Sequence, residues 1–360
     1  MKASRIIIIV VVLLIVVLVA AAAYSALVSK GSSPWKSVAT YPLEVSDAFG
    51  VSGQQCVNST VYIYCIGGQD LALGPHNSVY ASSAISSSSS NITSWTPQSS
   101  SYPQTIFAQA CVASSGYVYC VGGTYDDAGD DIASSYYAPL GSRGVVGTWV
   151  PTTSYPVPVD SQYCVASAGY IYCVGGFEEV HGTNATRVQS DDVYYASLSP
   201  SGIGTWNQST TYPANTYSPS CFATNGYIYC LGGVDGNGNG QSTDYYASLS
   251  SAGVGTWNPT TAYPFQGILQ ACAFSTGLIY CVGGEQSSGF ISAAYYATVS
   301  SGGIGGWTKA TNYPDSASTN CVILSGNMYC MGGLDGSSNG ETGVSYYIPL
   351  GTLMGETTSG

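Results

Sequence analysis

The chain has 360 residues, of which only 7% are charged, with 19 acidic against 7 basic and a net charge of −12. That balance argues against nucleic acid and against an anionic membrane surface, both of which need clustered Lys and Arg. Ordinary domains carry about 25% charged residues, so the surface here is left to Ser, Thr, Asn, Gln, Gly and the hydroxyls of 31 Tyr. Adaptation to acid and extensive glycosylation each account for such a surface.

In chain order, residues 6–28 are apolar, with Lys2 and Arg5 before them and Lys30 after. That length spans a bilayer as a helix. A cleaved signal peptide ending near Ala20–Ala23 or Ala26 is the alternative. Lys2 and Arg5 keep the short N-terminus in the cytoplasm and put everything after the anchor outside. Residues 1–29 are thus read as cytoplasmic end plus transmembrane anchor, or as signal peptide. Trp35 and Tyr41-Pro42 follow.

From Cys56 a pattern recurs six times: Cys, a short β-rich run, a second Cys nine residues on, one apolar residue and Gly-Gly. The pairs are Cys56/Cys65, Cys111/Cys120, Cys164/Cys173, Cys221/Cys230, Cys272/Cys281 and Cys321/Cys330. Five copies have X-Gly midway, such as Ser115-Gly116, which is the commonest two-residue hairpin loop. Folding about it places Cys111 opposite Cys120 in a non-hydrogen-bonded pair, the close kind that suits a disulfide. Thr60-Val61 replaces that loop in the first copy. Twelve Cys in an exported chain form a disulfide framework, here six local bridges.

A polar loop and a third run follow each Gly-Gly, as in Tyr136-Tyr137-Ala138 and Tyr245-Tyr246-Ala247. A fourth run carries Trp and then Tyr-Pro, as in Trp149 with Tyr155-Pro156. Four short strands per unit of about 50 residues make a propeller blade. The apolar-Tyr run ending in Gly-Gly, the third-strand Tyr and the fourth-strand Trp resemble the Kelch repeat over residues 34–350. The resemblance implies an all-β, six-bladed β-propeller, which the apolar run 6–28 precedes as one transmembrane helix. The paired Cys lie outside the usual Kelch pattern. The last unit lacks a Trp of its own, and Trp35–Pro42 has no preceding Gly-Gly. The N-terminal run is therefore expected to supply the final blade's outer strand and hide an otherwise bare edge. The propeller spans 30–350 and residues 351–360 read as a free tail. Residues 82–94, with a run of Ser, read as a loop.

The expected face for binding carries the loops after Gly-Gly, whose lengths vary while the Cys hairpins stay uniform. It gathers Asp126, Asp127, Asp130, Asp131, Glu178, Glu179, Asp191 and Asp192, and both His, His76 and His181. The expectation is an acidic rim around one channel mouth, bordered by the Tyr-Pro segments. Asp235, Asn237 and Asn239 match the opening of a calcium loop, but Tyr246 holds the position where Glu would close it. A plain turn is preferred there over calcium, and no cofactor is otherwise expected. Sequons at Asn58, Asn91, Asn184 and Asn207 fit an exported surface. No nucleophile elbow is present. The functional expectation is a cell-surface binding or scaffolding module, single-pass or secreted, for a glycan or a surface protein. A carbohydrate-active enzyme and a purely structural envelope component are the alternatives.

Overall fold

Each cysteine hairpin forms in the register its turn dictates. In the computed structural model Cys111 faces Cys120 and Ser114 faces Tyr117. Ser115 and Gly116 both have positive φ, 49° and 81°, the pairing that matches a type I′ turn to the strand twist. The first hairpin keeps the same register, with Cys56 opposite Cys65. Without a glycine it closes through the Ser59 N–H donating to Tyr62 O at 2.9 Å. All six expected disulfides are present: Cys56–Cys65, Cys111–Cys120, Cys164–Cys173, Cys221–Cys230, Cys272–Cys281 and Cys321–Cys330. The Cα atoms are 4.1 Å apart in each.

The structure describes residues 33–42, 52–70, 74–83, 91–125, 130–180, 186–241, 243–266, 269–286, 288–336 and 340–355. Among them the main sheets are antiparallel and built alike. In one, Ala110–Ser114, Tyr117–Val121, Ser135–Pro139 and Val150–Thr152 lie in order from the inside out. Six such sheets are described, and their innermost strands touch in sequence. Gln55–Asn58 meets both Ala110–Ser114 and Ala317–Leu324, so the ring is closed. The architecture is an all-β propeller.

The second strand explains the composition. Sheets pack on both of its faces, so alternate residues enter different cores. Val118 and Cys120 join one cluster, Tyr119 and Val121 the next, and all four are at most 1% exposed. The following Gly-Gly is a close approach to the neighbouring sheet. Gly122 and Gly123 have φ of 62° and 105°, and a Cβ on Gly122 would overlap the Val159 carbonyl oxygen.

Aromatic rings lock each sheet to the one before it. Trp149 packs edge-on against Tyr102 at 4.9 Å, and its Nε1–H donates to Ser100 O. Trp206 does the same with Tyr155 and Thr153 O, and Trp257 with Tyr212 and Thr210 O. The N-terminal segment completes the series. Trp35 meets Tyr313 at 5.0 Å, and Lys36–Ser37 pairs with Tyr347 and Tyr346 as the outer strand of the last sheet.

Two expectations need correction. The Tyr of each Tyr-Pro does not fringe a rim: Tyr41, Tyr102, Tyr155, Tyr212, Tyr263 and Tyr313 are all buried, because the next sheet's Trp covers them. The stretch read as a free tail from residue 351 begins packed. Leu350–Leu353 is a turn of α-helix, with Leu353 fully buried in the core beside Tyr280 and Met328. The expected anchor, 6–28, lies outside the described residues. Among those described, no helix is long and apolar enough to cross a membrane.

Candidate functional site

On the ring axis, five of the six innermost strands are entered through a residue with left-handed backbone: Gly53, Ala108, Ser161, Ser218 and Leu269, with φ from 50° to 65°. Non-glycine residues hold that conformation only where the surroundings impose it. Here a chain of three backbone hydrogen bonds links four of these residues around the axis. Ala108 N–H donates to Gly53 O, Ser161 N–H to Ala108 O, and Ser218 N–H to Ser161 O, at 2.8–3.0 Å. Two residues before the first Cys of four repeats stands a Gln. Gln54, Gln109, Gln162 and Gln270 each donate Nε2–H to the carbonyl just before the preceding sheet's Gly-Gly: Met331, Ile66, Val121 and Leu231. Inside this collar lies a cavity of about 290 Å³, lined by all six inner strands. A smaller space of about 60 Å³ is lined in part by Cys56, Cys111, Cys164 and Cys321.

The two halves of each disulfide therefore differ in place. The first Cys stands on the innermost strand, and Cys272 and Cys321 also line the larger cavity. The second stands one strand further out. Cys65, Cys120, Cys173, Cys230, Cys281 and Cys330 are fully buried and line neither space. Among the described residues no thiol is free, so the twelve Cys are staples within each sheet.

Away from the axis, at the end where strand two passes to strand three, Phe177–Val180 and Thr186–Gln189 form a hairpin that also pairs with Val159–Asp160. It brings Arg187 onto two buried carboxylates. Nε donates to Asp131 Oδ2 at 3.0 Å, and Nη2 contacts Asp160 Oδ2. The Thr124 hydroxyl lies 3.0 Å from Asp131 and 3.2 Å from Asp160. It has one hydrogen, so it can serve only one of them at a time. Burial pushes the Asp131 carboxyl up, against the opposing pull of Arg187 and Thr124. The Arg187 side chain is 42% exposed, and its guanidinium lies 4.8 Å over the Phe177 ring, which packs at 4.2 Å on Tyr217. Burial raises the Tyr217 phenol, and nearby Glu285 raises it further.

The expected acidic residues thus divide. Asp126 and Asp127 lie outside the described residues. Asp130 is exposed and accepts from Tyr125 Oη at 3.4 Å. Asp131 is no open rim carboxylate but half of the Arg187 cluster. Glu178 and Asp192 lie near Tyr155, Asp191 and Asp192 lie near Glu178, and burial, more than those neighbours, pushes the Glu178 carboxyl up. Asp192 accepts from Tyr194 Oη and Gln208 Nε2. Glu179 stands opposite Arg187 in the hairpin register. His76 is buried 3.0 Å from Asp70, while His181 lies outside the described residues.

Asp235 caps its own turn, accepting the Asn237 and Asn239 N–H groups at 2.9 Å, which holds its carboxyl down. Among the sequons, Asn58 and Asn207 are exposed and Asn91 is half-buried. Asn184 lies outside the described residues. Sequence reasoning missed Asp160, Thr124 and Arg187, which no motif connects. It also missed the Gln series, whose constant offset from Cys was visible.

No protein-family model and no curated protein sequence matches this chain. Its fold is similar to the solved structure of YjhT, at 12% identity and a TM-score of 0.66, over 85% of this chain and 95% of that one. At that identity the likeness shows the fold alone, a β-propeller.

Proposed function

We propose that this chain is an exported, membrane-anchored, six-bladed propeller of the Kelch type that binds a glycan or a protein at the cell surface. The observation that carries the binding role is the stack of Arg187, Phe177 and Tyr217, a cation and two partly exposed rings fixed by buried carboxylates. Rings held in place lose little entropy on contact, which makes them efficient recognition surfaces. The two Asp more than neutralise Arg187, so the ledge suits neutral or weakly cationic groups over anions. Export is supported by the six local disulfides, which persist in oxidising compartments, and by the apolar stretch 6–28.

The test is a screen of the full chain in lipid nanodiscs against a glycan array and against surface-protein extracts. Phe177→Ala and Tyr217→Ala should each weaken the bound partner about tenfold. Ser115→Asn, in a turn of the opposite face, should not. Binding that survives both ring variants and falls with Ser115→Asn would place recognition on the wrong face.

A further inference from the structure

The two ends of the sheets differ in charge. Of the 19 acidic residues, all but Glu356 fall between a Gly-Gly and the following third-strand Tyr, or between a Tyr-Pro and the next inner Cys. Both kinds of segment lie at the end where strand two passes to strand three. At the opposite end, each Cys hairpin turn meets the turn between strands three and four: Leu140 N–H donates to Gly116 O, and Leu198 N–H to Gly169 O. Among the described residues that hairpin end carries no Asp or Glu. Three of its turns, Pro200-Ser201, Ser251-Ala252 and Ser301-Gly302, are small and uncharged. The second repeat differs. There Ser142–Gly144 is followed by Val145, 52% exposed, and Arg143 is exposed as well. Gly144 lies so near the Tyr62 ring that a Cβ would overlap it. Val61, 36% exposed, precedes Tyr62, so two bare valines and one guanidinium flank the seam between the first two sheets. The same end receives the N-terminal segment. Lys36 pairs with Tyr347 and Ser37 with Tyr346, antiparallel to Gly340–Pro349, and the next residue, Leu350, donates its N–H to Gly326 O in the last hairpin turn. The chain before Lys36 therefore enters the propeller at the hairpin end.

We propose that this acid-free face rests on the lipid bilayer, with Val61 and Val145 in the headgroup layer beside Arg143 and the acidic face pointing away. The proposal rests on the reading of 6–28 as an anchor. Trp35 comes seven residues after Val28, and seven residues span at most about 25 Å. That short tether joins at the hairpin end and holds this face nearer the lipid. Strand two, five residues long as in Tyr117–Val121, sets the acidic loops about 16 Å behind the hairpin turns at about 3.3 Å per residue. Charges fade over about 8 Å in physiological salt. An anionic leaflet therefore repels the acids little in this pose and strongly in the reverse one. Exposed valines suit the boundary of headgroup and acyl chain, and an Arg buries its stem there while its charge reaches phosphate. The contact needs little affinity of its own, because the anchor makes it intramolecular.

The experiment places the full chain in phosphatidylcholine nanodiscs doped with a phosphatidylcholine that carries a diazirine near its headgroup. Illumination links that lipid to the side chains beside it, and peptide mass spectrometry locates the links. They should fall on residues 6–28 and on the peptides holding Val61 and Val145, and be absent from those holding Phe177 and Tyr217. Val61→Asp combined with Val145→Asp should cut the hairpin-end links at least about fivefold, leaving the links on 6–28 and the melting temperature unchanged. Val188→Asp, on the acidic face, should change neither. Links on 6–28 alone, links on the acidic face, or hairpin-end links that survive the double Asp variant each overturn the proposal while leaving the anchor in place. Hairpin-end links that vanish when a disc holds two chains instead of one give the face to a second copy and overturn it too. A chain that leaves the nanodisc, with no link anywhere, removes the anchor reading and this proposal with it. Should the Asp variants misfold, the map of the wild-type chain decides.

Discussion

Trp35→Ala strikes the point where the ring is closed without a covalent bond. The side chain is 4% exposed, edge-packed on Tyr313, and donates weakly to Thr311 O at 3.4 Å. The strand it precedes has two paired residues, Lys36 and Ser37, so the ladder contributes little by itself. What holds the segment is a buried ring at each end, Trp35 and Tyr41. Truncating a buried Trp costs about 3–5 kcal/mol, and at about 2 °C per kcal/mol for a large domain that is about 6–10 °C. All six disulfides remain in the variant, so the unfolded reference is unchanged. The released segment also bares Gly340–Pro349 as an edge, and bare edges recruit other chains. Near-UV circular dichroism should show the lowered melting temperature, and light scattering after size exclusion should show dimers or larger species. Trp206→Ala removes the same kind of contact from a half-exposed Trp inside a continuous chain; it should cost less and leave a monomer. A Trp35→Ala protein that is monomeric and melts like wild type would refute closure by this strand.

Asp244 is a buried carboxylate where the other sheets carry Val79, Ser135, Val193, Ala294 and Ser345, and burial raises its pKa to about 6. It accepts the Gly232 and Tyr263 N–H groups, which in the third sheet go to backbone carbonyls. The folded form therefore holds a proton that the unfolded chain releases near pH 3.9. Stability should fall as pH rises from about 4 to about 6 and then level off, by about 3 kcal/mol; melting curves of Asp244→Asn should lose that slope, and an unchanged slope would assign it elsewhere. Leu353→Ala should cost about 2–5 kcal/mol in chemical denaturation, whereas a free tail would cost nothing. Asp131→Asn should destabilise by about 1–3 kcal/mol by unbalancing Arg187, while Asp130→Asn stays within about 0.5 kcal/mol; equal effects would contradict the placement of Asp131.

Local rules made much of this legible. A two-residue turn with Gly fixes which Cys meet, and the unmatched Trp35 at one end and missing Trp at the other imply closure. The burial of the Tyr-Pro residues was not legible, because their neighbour in space, the next Trp, lies 44 or more residues away along the chain, as Tyr263 and Trp307 do. The pairing of Asp131 and Asp160 with Arg187 depends on the hairpin of Phe177–Val180 and Thr186–Gln189, which is longer than the two-residue pairings at the same place in the first and fifth repeats, so no periodicity announces it. The Gln collar and the apolar Leu350, Leu353 and Met354 do leave signals in the sequence, the first as a constant offset from Cys and the second as helical spacing.

The most direct test of the account is non-reducing peptide mapping of the chain taken from intact membranes with free thiols blocked at lysis. An exported propeller stapled sheet by sheet predicts six links, Cys56–Cys65 through Cys321–Cys330, and no blocked thiol. Blocked thiols in the native chain, or links between different repeats, would contradict it.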